Sequence, residues 1–340
     1  MSFATGTASS LTDLLTALRN ACTAAGWTLA GNVLYKGACY AEVKIGNNGE
    51  SGAPTSTMLH VRMGNGIDGS NALTDPMTSG TGPGIGFMRV GSSYPAWDWP
   101  VTYYIHVNAS PDEVFLVVQY QAALRFQHLY FGKSPAPGSA GTGNWCFATM
   151  PELGTVTSYY RAENTAHANP GGLSYSTYQS RLLPVVPFWV ETRQVAGSSG
   201  EACLSWQIHG AIDFVTDAAG WSDKNIGFTQ VDTTYKRPVS ASVCGRPLLE
   251  FTPNAWNNET LLVPIQIASP RPQNKTSIVG ELRHVRLCRN DFINDGALIT
   301  LGPDKWKIYP CYKKNASVRD GNGPVDHSGT VAVAIRYDGP

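Results

Sequence analysis

Apolar side chains near the start of the chain recur at helical spacing. Leu11, Leu14, Leu15, Leu18, Cys22 and Ala25 fall on one helical face. Ser10 stands where an N-cap is needed, Gly26 supplies a left-handed stop, and Trp27 is placed to fold back on the last turn. The pattern predicts one short amphipathic helix. Beyond Gly26 the period changes to two. Val101, Tyr103, Ile105 and Val107 alternate with Thr102, Tyr104 and His106, which predicts a half-buried strand. Val114 to Tyr120 is apolar almost throughout, and Asn108 to Asp112 forms a turn before it. Together these segments read as a hairpin whose second strand is buried on both faces. Near the end, Lys305 to Tyr309 alternates, and Val331, Val333, Ile335 and Tyr337 share one face.

The 35 glycines and 22 prolines make long helices beyond Gly26 improbable. The expected fold is therefore mainly β, with β-sandwich or barrel-like domains and the one N-terminal helix. Two loop-rich stretches interrupt it. Gly64 to Pro100 ends in an aromatic knot of Tyr94, Trp97 and Trp99, and Lys133 to Gly143 is a second Gly/Pro/Ser run. A boundary near residue 150 would divide an N-terminal helix-plus-β domain, 1–150, from a C-terminal β domain, 151–340.

Composition turns attention to association. Hydrophobic residues are an ordinary 42 %, but charged residues are only 15 %, against roughly 25 % in average soluble proteins. Lys plus Arg (25) equals Asp plus Glu (25), so net charge supplies no colloidal repulsion. Such a surface fits one covered by neighbours, and the balance argues against nucleic acid as the main partner. The densest basic cluster, Arg283, His284, Arg286 and Arg289, reads as a solvated strand with Arg286 facing away from Arg283 and Arg289. The 7 cysteines form no C-x-x-C pair and read as reduced, largely buried thiols of a protein assembled in cytosol. Met1 to Ser10 lacks the order of a secretory leader, and no apolar run reaches the roughly 18 residues of a membrane span.

The chemistry-bearing patterns are weak. Gly64-Asn65-Gly66-Ile67-Asp68-Gly69 matches G-x-G-x-x-G after a strand-like run. A dinucleotide site needs a helix to begin at once, and Pro76, Pro83 and several glycines follow instead. Asn65, Asp68 and Asn71 lack the closing bidentate carboxylate of a calcium loop, so an ordinary turn is expected. No G-x-S-x-G elbow occurs, and the 7 histidines are scattered singly, reading as sheet or surface residues. No catalytic, cofactor-binding or metal-ligating residue is assigned. Asp98 between Trp97 and Trp99 suggests sugar stacking, but Tyr94 to Pro100 also suits a rigid loop plugging tryptophans into a core or interface. A hydrolase would need a second acid across a groove, and nothing in the sequence names one.

Several segments, in order, resemble a family of tailed-bacteriophage virion structural proteins found among neck (collar) and tail components. They begin with the Leu-rich helix ending in Gly26-Trp27 and the strand carrying Leu34-Tyr35-Lys36-Gly37. Next come Thr102 to Val107, the turn to Val114–Tyr120, Tyr130-Phe131-Gly132 and Ser134-Pro135. Later, Leu261-Leu262-Val263-Pro264-Ile265 precedes Gly280-Glu281-Leu282, and Thr330 to Tyr337 looks like the closing strand. The chain departs from the pattern in the Gly64 to Gly86 loop, and the Tyr-Pro-rich segment after Ser-Pro is reduced to Pro137 to Asn144.

The resemblance implies a non-enzymatic particle component, located in the virion after assembly in the host cytoplasm. It would dock to other virion proteins and to its own copies in a symmetric ring. The expected contact residues are Tyr94, Trp97, Asp98 and Trp99 in the first loop, and Lys133, Pro137 and Asn144 in the second. The alternative is a phage protein binding a host-surface glycan, with weak sugar contact at Trp97 and Trp99, or less readily a glycan hydrolase.

Overall fold

The computed structural model describes residues 1–46, 58–76, 84–86, 97–120, 125–133, 143–148, 209–212, 239–240, 254, 256–257, 259–271, 275–311 and 331–339. The first half supplies β1 (Ser2–Ala8), α1 (Leu11–Ala24), β2 (Thr28–Ala30), β3 (Val33–Lys36), β4 (Cys39–Gly46) and β5 (Met58–Gly64). It continues through β6 (Gly66–Ile67), β7 (Leu73–Thr74), β8 (Gly84–Ile85), β9 (Val101–Asn108), β10 (Glu113–Tyr120), β11 (Arg125–Lys133) and β12 (Asn144–Ala148). Then follow β13 (His209–Ile212), β14 (Val239–Ser240), β15 (Val263–Arg271), β16 (Lys275–Arg289), β17 (Leu298–Leu301), β18 (Asp304–Pro310) and β19 (Val331–Arg336). The protein is mainly β, antiparallel and sandwich-like, with a single short helix, near the N-terminus, among the described residues, as the periodicity implied.

The helix is bounded by the residues expected to bound it. Ser10 Oγ accepts from the Asp13 N–H at 3.1 Å, and Asp13 reaches back to accept from the Ser9 N–H at 3.1 Å. At the other end Gly26 takes φ +85°. Its N–H donates to Thr23 O while the Trp27 N–H donates to Cys22 O, the paired bonds of a Schellman stop. The Trp27 ring then packs edge-on against Phe131 at 5.6 Å, so the turn after the helix is anchored to a distant strand.

Three sheets are stacked. The first, in the order β2-β3-β4-β5-β8, lies with α1 against one face of the middle sheet, β1-β9-β10-β11-β12-β13. The third, β14-β15-β16-β19-β18-β17, covers the other face of the middle sheet. The hairpin Val101–Asn108 to Glu113–Tyr120 forms as expected, Asn108 opposite Glu113, and its second strand is buried on both faces. Its near-continuous apolar sequence is what a strand between two layers requires. The first strand differs from expectation. Thr102, Tyr104 and His106 were expected on the polar side of a half-buried strand; His106 is buried, because the third sheet covers that face. Residues beyond 150 also extend the middle sheet: His209–Ile212 pairs antiparallel with Asn144–Ala148.

Candidate contact surfaces and the buried polar interface

The expected contact residues that the structure describes are only partly at the surface. Trp97 is 2 % exposed, stacked on Tyr120 at 5.2 Å and tilted against Trp99 at 5.6 Å, inside the core between α1, the first sheet and the middle sheet. Asp98 is exposed and Trp99 half-buried. The Trp97 ring is therefore no open sugar platform, and this residue serves the chain's own core. Asn144 is likewise buried, donating from Nδ2 to Gly64 O at 3.1 Å and so tying the middle sheet to the end of the first. Lys133 is half-buried, its N–H held by Asp112 O at 2.8 Å. Tyr94 and Pro137 lie outside the described residues.

The glycine-rich segment is a turn in a hairpin. β6 and β7 pair across it, and Asp68 Oδ1 accepts from the Ser70 and Ala72 N–H groups, with Asn71 left-handed at φ 61°. A Cβ on Gly64 would sit 2.5 Å from Leu73 Cγ and 2.6 Å from Thr74 O. Glycine is needed there for the hairpin to close back, not for a phosphate.

The basic cluster is not a solvated strand. Only Arg283 is exposed. Arg289 is buried in a two-bond fork with Asp291, Nε to Oδ2 at 2.9 Å and Nη2 to Oδ1 at 2.8 Å. Arg286 pairs with Glu281 at 3.1 Å and lies 5.3 Å over the Trp306 ring. Register shifts between Pro264 and Ile265, and between Ile267 and Ala268, break the simple alternation assumed for this strand.

His284 points into the interface between the middle and third sheets, where sequence reasoning placed nothing. Glu113, fully buried, accepts from His284 Nδ1 at 2.8 Å and from the backbone N–H groups of His284 and Arg283 at 2.9 and 3.3 Å. Gly132 opposite it leaves the necessary room: a Cβ there would lie 2.8 Å from Glu113 Cα. His128 Nε2 faces the carbonyls of Pro310 and Cys311, each at 3.0 Å. Carbonyls only accept, so Nε2 carries the hydrogen and Nδ1 accepts from the Tyr130 hydroxyl. His106 Nε2 meets the Tyr309 hydroxyl at 2.9 Å. Burial is the main force on both rings. It lowers His106 to about 3, with Lys307 adding a smaller push, and His128 to about 4; backbone hydrogen bonds oppose it in each case. Beside His106, Lys307 Nζ sits over three rings, Phe3 at 4.9 Å, Tyr337 at 5.0 Å and Tyr104 at 5.7 Å. Polar residues at alternate positions of otherwise apolar strands are the only mark this interface leaves in the sequence, and they do not name its partners.

Cys22, Cys39, Cys146, Cys288 and Cys311 are buried, and none is in a disulfide; Cys203 and Cys244 lie outside the described residues. Burial raises the Cys22, Cys39 and Cys311 thiols well above their ordinary range, so they stay protonated. Among the described residues no group of three or more His, Cys, Asp or Glu is gathered to hold a metal, and no helix is long and apolar enough to cross a membrane. No protein-family model matches the chain, and a search of curated proteins gives no match.

The outer side of the molecule carries large apolar side chains in water. Trp256 is 97 % exposed, at a turn closed by its own hydrogen bonds: Trp256 N–H to Asn254 Oδ1, Asn254 N–H to Glu259 O, and Glu259 N–H to Asn257 Oδ1. Leu301 (58 %) and Leu298 (49 %) lie on β17, an edge strand of the third sheet.

Proposed function

We propose that this chain is a non-enzymatic structural component of a tailed-phage virion, at the neck (collar) or along the tail, docking to its own copies and to other virion proteins. The observation that carries the reading is the exposure of Trp256 on a hydrogen-bonded turn. A fully solvated indole on a preformed support is a contact knob, because Trp supplies large buried area at low entropy cost. The exposed leucines on edge strand β17 point the same way, since an apolar edge is normally paired or shielded. The sparse, balanced charge and the ordered resemblance to phage neck and tail proteins add to it. The host-glycan alternative loses its platform with Trp97 in the core.

The test is to locate the protein by cryo-electron microscopy in particles, with the mass of the purified chain measured by light scattering. Symmetric copies at the neck or tail are expected, and Trp256→Ala should fold with wild-type stability yet incorporate poorly. A monomer absent from every particle would overturn the reading.

A further inference from the structure

We propose that the third sheet is an acid-releasable layer: protonation of His106 and His128 separates it from the middle sheet while α1, the first sheet and the middle sheet stay folded together. The two histidines sit on one face of the middle sheet, on neighbouring but not adjacent strands β9 and β11, and both reach the same strand of the third sheet, β18, or the residue that follows it. Each ring is fully buried and already satisfied as a neutral imidazole.

A second proton would displace an existing hydrogen bond on each ring. On His128 it would go to Nδ1, where the Tyr130 hydroxyl now donates beside the Phe115 and Phe147 rings. On His106 it would go to Nε2, displacing the proton of Tyr309, and would create a cation next to Lys307, which shares the same Phe3 and Tyr337 rings. Among the described residues, the other groups facing the pair from the packed elements do not offset this. From the third sheet they are Tyr309, Cys311 and the Arg336 backbone; from the middle sheet, Tyr104 and Tyr130. The one buried carboxylate in this interface among the described residues, Glu113, is engaged by His284 and two backbone N–H groups. Opening the layer gives both rings water and their ordinary basicity.

The opposite interface lacks this device. Its core is apolar, and His60 sits on the first-sheet face turned away from the middle sheet, alternating with the core residues Leu59, Val61 and Met63. The sign follows from linkage. Both rings are harder to protonate closed than open, so the layer is held fully above about pH 6.5 and is loosened as pH falls below it.

Hydrogen exchange read by mass spectrometry on the full chain, corrected for intrinsic rates, tests this. Protection in β18 and β19 should fall about a thousand-fold between pH 7.5 and pH 5, some thirty-fold from each histidine, while β4 and β5 keep theirs. In the double variant His106→Gln, His128→Gln the loss should largely disappear. Simultaneous loss of protection in all three sheets, or an unchanged pH dependence in the variant, would overturn the proposal. If the variant does not fold, NMR titration of the two wild-type imidazoles decides: silence until the layer opens is expected, and a ring titrating near 6.5 in the closed protein would overturn it.

Discussion

The two faces of the middle sheet are buried by different chemistry. On one, Ile105, Val107, Val114, Leu116, Val118, Leu129 and Phe131 meet α1 and the first sheet in a single apolar core. On the other, one residue along each strand, Tyr104, His106, Glu113, His128 and Tyr130 meet Tyr309, His284 and the end of β18. The first interface depends chiefly on area and shape, with a few neutral hydrogen bonds such as Asn144 Nδ2 to Gly64 O, and carries no comparable response to protons. The second depends on named donors and acceptors, so it fixes one register between sheets and makes that register conditional on protonation. A chain read as an assembly component thus has one permanent interface inside it and one conditional one.

The largest expected effects separate the two faces by their pH dependence. Phe131→Ala removes a fully buried ring that packs edge-on against Trp27 and should cost about 3–5 kcal/mol by denaturant unfolding. That cost should be the same at pH 7.5 and pH 5. Glu113→Ala leaves His284 Nδ1 and two backbone N–H groups without their acceptor and should also cost about 3–5 kcal/mol at neutral pH. Exchange should show the loss concentrated in the third sheet. Equal loss of protection across all sheets would mean that the polar interface is no separate unit.

A smaller effect tests one bond within it. Tyr309→Phe keeps the packing on Tyr104 but removes the hydroxyl at His106 Nε2, and should cost about 1 kcal/mol. The lost bond weakens the closed layer at every pH, so the third sheet should open at higher pH than in the wild type, while the freed nitrogen accepts a proton more readily and so acts in the opposite direction. No change in the opening pH would show that the Tyr309 hydroxyl does not hold the layer.

The apolar half of this comparison was legible in the sequence and the polar half was not. Helix spacing, the Ser10 cap, the Gly26 stop and the run from Val114 to Tyr120 are local signals, and each gave its element in place. His106 and Tyr309 are 203 positions apart, and Glu113 and His284 are 171 apart, so nothing local marks them as partners. An alternating strand such as Val101–Asn108 looks half-exposed until a third layer is known to cover it. The bulged pairing of β15 with β16 similarly defeats a face assignment for Arg283, Arg286 and Arg289 made from alternation alone. Among the candidate contact residues, tryptophan content drew attention to Trp97, whereas exposure singles out Trp256. Composition cannot distinguish a core indole from a solvated one.

Lys307 gives the smallest effect and the most discriminating one, because its two roles act in opposite directions. Its ammonium holds Phe3 of β1, Tyr104 of β9 and Tyr337 after β19, so it pins the third sheet to the edge of the middle one. Lys307→Met keeps the apolar stem and removes the charge, and should cost about 1 kcal/mol at pH 7.5, where His106 is neutral in both open and closed forms. The same charge helps to disfavour protonation of His106. Without it the closed-state ring accepts a proton more easily, the gap between open and closed basicity narrows, and acidification weakens the layer less steeply. The variant should therefore begin less stable than wild type, keep that deficit down to pH 5, and lose less only as pH falls further toward about 3, where the closed-state ring of His106 titrates. A penalty that is constant across pH would assign Lys307 to packing alone and leave His106 governed by burial.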